Sequence, residues 1–118
     1  MLEAAAKHNK QVWILDRPNP AGRPVEGFTL RAGWESFVGA GAMPMRHGLT
    51  MAELAQWFIK TLALDVDCQI IAMEGWQPDT APGYGWPLGE RPWINPSPNA
   101  PNLWMARCYA GTVMLEGA

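Results

Sequence analysis

Charge is scarce in this sequence: 17% of its 118 residues are Asp, Glu, Lys or Arg, against roughly 25% in ordinary globular domains. Nine basic and eleven acidic residues leave a net charge of -2 with no basic block, which argues against a protein that tracks phosphates along a nucleic acid. Cysteine is nearly absent. Cys68 and Cys108 are too few for a disulfide framework and lack the paired spacing of a zinc site, so both are expected to be buried thiols. No segment approaches the roughly 18 apolar residues of a membrane span, and Glu3 interrupts the apolar stretch that a signal peptide would need near the N-terminus. Serine is limited to Ser36 and Ser97, neither with a histidine nearby in sequence, which leaves little room for a Ser-His triad. G-x-S-x-G, H-E-x-x-H and Walker motifs are missing, and GYGWPLG at 83–89 carries Pro87 where a phosphate loop would need its lysine. Neither a metal nor an organic cofactor is implied.

What the sequence has in quantity is Trp (seven), Pro (eleven) and Gly (twelve), with 48% hydrophobic residues overall. That is too apolar for intrinsic disorder, and the length allows one compact domain at most. Loops that are long yet pinned by aromatic rings are expected. From Gly75 to Pro101, eleven of 27 residues are Gly or Pro, but Trp76, Tyr84, Trp86 and Trp93 argue for a docked loop.

Residues 2–8 are strong helix formers with a Glu3–Lys7 pair and Asn9 as a stop. No cap precedes them, so the sequence is expected to begin inside an element of a longer chain. The run QVWIL at 11–15 predicts a strand buried on both faces, the habit of parallel sheets. Residues 16–27 are turn chemistry, stiffened by Pro18, Pro20 and Pro24. A helix over 50–62 is the best-signalled element. Thr50 and Glu53 form a capping box, Leu49 and Leu54 a staple, and Leu54, Trp57, Phe58 and Thr61 or Leu62 one apolar face. CQIIAME at 68–74 predicts a second strand, making a right-handed β-α-β crossover with the first. Asn102 caps a short helix over 102–109, and TVML at 112–115 predicts a last strand. The fold class is α/β, with a short, mostly parallel sheet, the crossover, and long Pro/Gly/Trp-rich loops.

Several polar groups stand out against this frame. Asp16 and Arg17 follow a buried strand, where open α/β sheets place their ligands; an ion pair pinning the proline loop is the plainer alternative. Arg46 and His47 precede the capped helix, whose free N–H groups complete a ready site for an anion. A surface arginine and a histidine held by a neighbouring loop would explain the same residues. Glu35 sits among Trp34, Ser36 and Phe37, where burial would raise a carboxyl pKa toward acid catalysis, or it is a rim carboxylate. Trp76, Trp86 and Trp93 either stack on sugar rings or pin loops. Pro96-Ser97-Pro98-Asn99 is a rigid backbone able to present Ser97 and Asn99, whether as ligand clamp or turn. His8 is a partner for a helix C-terminus.

Seven blocks, LDRPNP at 15–20, RPVEG at 23–27, ESFVG at 35–39, RHG-T at 46–50, MEGW at 73–76, PSPN at 96–99 and GTVMLEG at 111–117, occur in an order that resembles the DUF1343 family, the exo-β-N-acetylmuramidases of the NamZ type. The resemblance covers nearly the whole chain. It implies a partial domain over 1–118, joining the end of a Rossmann-like part to the start of the α/β part that follows. It also implies release of N-acetylmuramic acid from the non-reducing ends of peptidoglycan fragments, with muramic acid glycans as partners. The family's G-P-E-H-G segment, carrying the leading candidate for the catalytic glutamate, does not occur in this sequence. Glu35 and Glu116 are then supporting carboxylates near the reaction, since glycoside hydrolysis draws on acidic pairs. Arg46 and His47 are expected to take the lactyl carboxylate that distinguishes muramic acid from glucosamine. Asp16, Arg17, Asn19, Ser97 and Asn99 are candidates for hydroxyl and acetamido contacts. The expected function is a glycoside hydrolase present as a fragment; the other reading is a non-catalytic module binding cell-wall glycans. Family members are commonly exported. Open sheet edges invite association, a homodimer being one form it can take.

Overall fold

The computed structural model describes residues 1–86 and 92–115, which divide into two compact units. Unit 1 is Met1–Pro18 with Leu49–Trp76; unit 2 is Asn19–Gly48 with Gln77–Ala118.

Unit 1 opens with helix α1 (Leu2–Lys7) and strand β1 (Val12–Leu15). After the segment that belongs to unit 2, the chain returns through helix α2 (Met51–Thr61) and then the strand Cys68–Ile71. The last strand lies parallel to β1 with Val12 opposite Cys68 and Leu15 opposite Ile71. A parallel pair requires a crossover, and α2 supplies it. The α/β class, with its short parallel sheet, is therefore as expected. The core is small: Ile14, Ala52 and Ala55 are buried, with Leu2, Val12, Cys68 and Ile70 packed partly against them.

Three expectations for unit 1 are corrected. β1 is covered on one face only, because Trp13 and Leu15 are 60% and 61% exposed while Ile14 is buried; alternation along a strand sends the odd positions away from α2. The face α2 turns to the core carries Ala52 and Ala55. Leu54, Trp57 and Phe58 are half-buried, and Thr61 and Leu62 are exposed. Small residues let helix and strand approach closely, so the stripe of large side chains is not the packed one. Finally, Cys68 is only half-buried and Cys108, in unit 2, is exposed.

Unit 2 contains two strands that the residue pattern did not predict, β2 (Glu26–Thr29) and β3 (Pro44–Arg46). They pair antiparallel, Glu26 opposite Arg46 and Thr29 opposite Pro44, with an irregularity between. Both are short, and β2 is exposed throughout, so no run of buried residues marks them. Between them the chain doubles back through tight turns, Trp34 N–H donating to Arg31 O and Ser36 and Gly39 bonding each other. Helix α3 (Leu103–Thr112) packs on β2; Asn102 caps it, its Oδ1 accepting from Met105 N at 3.0 Å. The helix runs on into a 3-10 turn, Val113–Leu115. The final strand expected over 112–115 is thus helical, because the cap at Asn102 starts a ladder that the β-branched Thr112 and Val113 do not stop. Among the described residues, no helix is long and apolar enough to cross a membrane.

Candidate functional site

In unit 1 the capping box forms as the sequence predicts. Thr50 Oγ1 accepts from Glu53 N at 3.2 Å and Glu53 Oε2 accepts from Thr50 N at 2.9 Å. A third participant comes from the end of β1. Asp16 is buried; its Oδ2 accepts from the Thr50 hydroxyl at 2.9 Å, and its Oδ1 accepts from Ala52 N at 2.9 Å. The sheet holds it there, since Asp16 N–H donates to Ile71 O at 3.0 Å. The helix N-terminus that the sequence offers to a ligand's anion is therefore answered by the protein's own carboxylate, the charge that the helix dipole favours. Arg17 is exposed and donates from Nη1 to the carbonyl of Asp16, at 3.0 Å, rather than to its carboxylate.

In unit 2 the structure builds a site around Arg46. Its side chain is 12% exposed, and it faces Glu26 across the β2–β3 pair, Nη1 to Oε2 at 2.6 Å. Nε and Nη2 both donate to the carbonyl of Ala21, the Nε bond measuring 2.7 Å. That carbonyl is aimed by a turn headed by Asn19, whose Oδ1 accepts from Ala21 N and whose carbonyl accepts from Gly22 N, each at 2.9 Å. Gly22 has φ +85°, and a Cβ there would stand 3.0 Å from Tyr84 Cδ2 and 3.4 Å from Arg46 Nη2. Glycine at this position is what allows the ring and the guanidinium to close on the backbone. Tyr84 leads to Arg107 of α3, whose Cζ lies 5.6 Å from its ring centroid and 5.4 Å from that of Trp104. Two candidates named from sequence, Asn19 and Arg46, thus share one cluster. Tyr84, Trp104 and Arg107 were missed, since no local pattern marks a contact that spans such distances in sequence.

His47 follows Arg46, is half-buried, and has its pKa lowered by that burial. Near neutral pH it is an uncharged imidazole, so the positive charge at this end of β3 is the arginine's. The next residue, Gly48, has φ +69°, and a Cβ there would fall 2.2 Å from the carbonyl oxygen of Arg23. The Arg23 Nη1 in turn donates to Gly48 O at 2.9 Å. The blocks RPVEG and RHG are therefore two sides of one contact.

The remaining candidates stand on exposed turns. Glu35 is exposed, as is Trp34 at 73%, so of the two readings of this position the rim carboxylate holds and the buried acid does not; Glu35 Oε2 accepts from Gly33 N at 2.9 Å. Ser97 and Asn99 lie on an exposed turn closed by Ala100 N–H to Ser97 O, and Trp93 Nε1 donates to Ala100 O at 2.8 Å. Trp86 and Trp93 meet at 5.8 Å between centroids, a loop-pinning contact. Glu116 lies outside the described residues. Among those residues there is no group of three or more His, Cys, Asp or Glu that could hold a metal ion.

This is an α/β chain with one strand–helix–strand unit that carries an internally neutralised helix N-terminus and a second unit built on arginine–carbonyl contacts. The model of the N-terminal part of the exo-β-N-acetylmuramidase NamZ matches residues 1–104, and the chain belongs to that family. The peptidoglycan β-N-acetylmuramidase NamZ of Bacillus subtilis (strain 168) is 34% identical over 117 residues, which cover 98% of this chain and 27% of that protein. Two crystal structures of DUF1343 family proteins from Bacteroides fragilis NCTC 9343 share the fold. One has a TM-score of 0.82 at 33% identity, covering 98% of this chain and 30% of the other; the second has 0.80 at 30%, covering 99% and 32%. The chain thus spans between a quarter and a third of the length of these relatives.

Proposed function

We propose that this chain contributes the binding side of a peptidoglycan exo-β-N-acetylmuramidase, a glycoside hydrolase releasing N-acetylmuramic acid from non-reducing ends. The observation that carries the reading is the family match over residues 1–104. The Arg46 cluster supports it. Muramic acid differs from glucosamine by a lactyl carboxylate, and a half-buried guanidinium held by Ala21 O is suited to receive one. With His47 neutral, Arg46 is the charged partner of that anion; Asn19, Ser97 and Asn99 of the same unit are the proposed polar contacts, with Glu35 and Glu116 as supporting carboxylates, whereas the Asp16 carboxylate is engaged at the start of α2. Replacing Arg46 by Ala is expected to weaken muramic ligands far more than glucosamine analogues; equal losses on both would refute the assignment.

A second reading, a glycan-binding module without turnover, is favoured by the position of Glu35, whose carboxylate is engaged by a turn N–H in an exposed loop rather than enclosed as an acid. A chromogenic β-muramide separates the two: turnover by the 118-residue chain supports the enzyme, and saturable binding without release of the chromophore supports the module. The outer edges of the two-stranded sheet in unit 1 are the proposed surface for a homodimer, which light scattering at increasing concentration would detect.

A further inference from the structure

Arg107 lies in the second turn of α3 and binds the same turn as Arg46. Its Nε donates to Pro20 O at 3.2 Å, its Nη2 to Gly83 O at 2.9 Å, and its Nη1 to Pro82 O. Pro20 is the neighbour of Ala21, on which Arg46 closes, so the two guanidiniums are clamped to consecutive carbonyls of one turn. Tyr84 is common to both, through its ring contact with Arg107 and its approach to Gly22 beside Arg46 Nη2. The charges within the cluster do not balance. Glu26 is paired with Arg46 at 2.6 Å, whereas the Arg107 guanidinium is pushed below its ordinary pKa by burial and then by the positive charge of Arg46, opposed by Tyr84 and by no described carboxylate. Each guanidinium has five N–H donors, three of which are engaged in the bonds named above. Among the described residues nothing engages the other two on each. Two cations on consecutive carbonyls of one turn, with one described carboxylate paired to Arg46 and none to Arg107, are suited to a second anion.

We propose that Arg107 is a further binding and specificity residue: with Arg46 it forms a two-arginine site that receives the lactyl carboxylate of a muramic acid ligand. The proposal rests on the muramic acid reading above and adds a residue to it. Glu26 then acts as an internal competitor that keeps the empty site from being doubly charged.

Calorimetric titration of the full chain with N-acetylmuramic acid and with N-acetylglucosamine tests this. Arg107→Gln is expected to weaken the muramic ligand about tenfold or more, the worth of a charge-assisted hydrogen bond, and to leave the glucosamine ligand within about twofold. Glu26→Gln is expected to tighten the muramic ligand a few-fold, roughly what removing a partly exposed competing charge allows, which a purely structural Arg107 would not explain. If the unaltered chain prefers the muramic ligand and a folded Arg107→Gln variant retains that preference, Arg107 is excluded while the muramic reading stands. If the unaltered chain shows no preference, both fall. Should Arg107→Gln fail to fold, Arg107→Lys and Glu26→Gln decide: an unchanged preference in both overturns the proposal.

Discussion

The two units place a charged side chain against backbone in opposite ways. In unit 1 the buried Asp16 accepts from a hydroxyl and a backbone N–H at the start of α2, a carboxylate meeting the positive end of a helix. In unit 2 the half-buried charges are guanidiniums, and they meet carbonyl oxygens of irregular loops. A helix terminus is a regular object with four free donors in known positions. Loop carbonyls have no such regularity, and each needs its own turn to aim it. The first arrangement therefore completes a fold, whereas the second organises loops and keeps donors in reserve.

The largest expected effect separates these roles. Asp16→Ala removes the acceptor for the buried Thr50 hydroxyl and for Ala52 N, and should destabilise unit 1 by about 3 kcal/mol in urea unfolding. Amide exchange over Val12–Leu15 should accelerate with it. An unchanged midpoint would mean that Asp16 is not the support of α2. Ile14→Ala is expected to cost a similar or slightly smaller amount, about 2 to 3 kcal/mol, because it empties the centre of a small core. Trp13→Ala, one position along the same strand but with its ring exposed, should cost about 1 kcal/mol or less. Comparable losses at both positions would show that the second face of the sheet is covered in solution.

These contrasts also explain what could be read in advance. The capping box at Thr50 and Glu53, the Asn102 cap and both parallel strands rest on local spacing, and each was legible in the residues. Asp16 stood out as a polar group at a strand end, but its partner lies 34 positions away, so its structural role was not visible. β2 and β3 were missed because β2 is exposed throughout and β3, at three residues, is too short to carry a period, and the Arg46–Glu26 pair that joins them has a separation of 20 residues. Arg107 lies 87 residues from Pro20. The seven ordered blocks located the family without revealing these contacts, although RPVEG and RHG are in fact one contact through Arg23 and Gly48.

That contact gives the next expected effect, confined to unit 2. Gly48→Ala would force a non-glycine residue to φ +69° and set a methyl against the Arg23 carbonyl, a backbone atom that cannot swing aside. A loss of about 2 kcal/mol is expected, with exchange accelerated over Pro44–Arg46 and unaltered over Val12–Leu15. Uniform acceleration across both strands would show that the two units unfold together.

The smallest effect is a pH dependence that belongs to unit 2. Burial holds the folded pKa of His47 below its ordinary value of 6.5. Between that lowered value and 6.5 the unfolded chain binds more protons than the folded one, so stability must rise with pH through this window. The contribution is complete above the unfolded value and is lost as pH falls through the folded one. Urea midpoints measured from pH 7.5 down to 5 should therefore decline, and His47→Gln, which does not titrate, should flatten that slope while the carboxylates' own decline at lower pH persists. Exchange rates would assign the slope to a unit: it should appear at Pro44–Arg46, next to the histidine, and be absent from Val12–Leu15. A slope that survives His47→Gln would trace the pH dependence to another group and remove the ground for treating Arg46 as the charge beside a neutral imidazole.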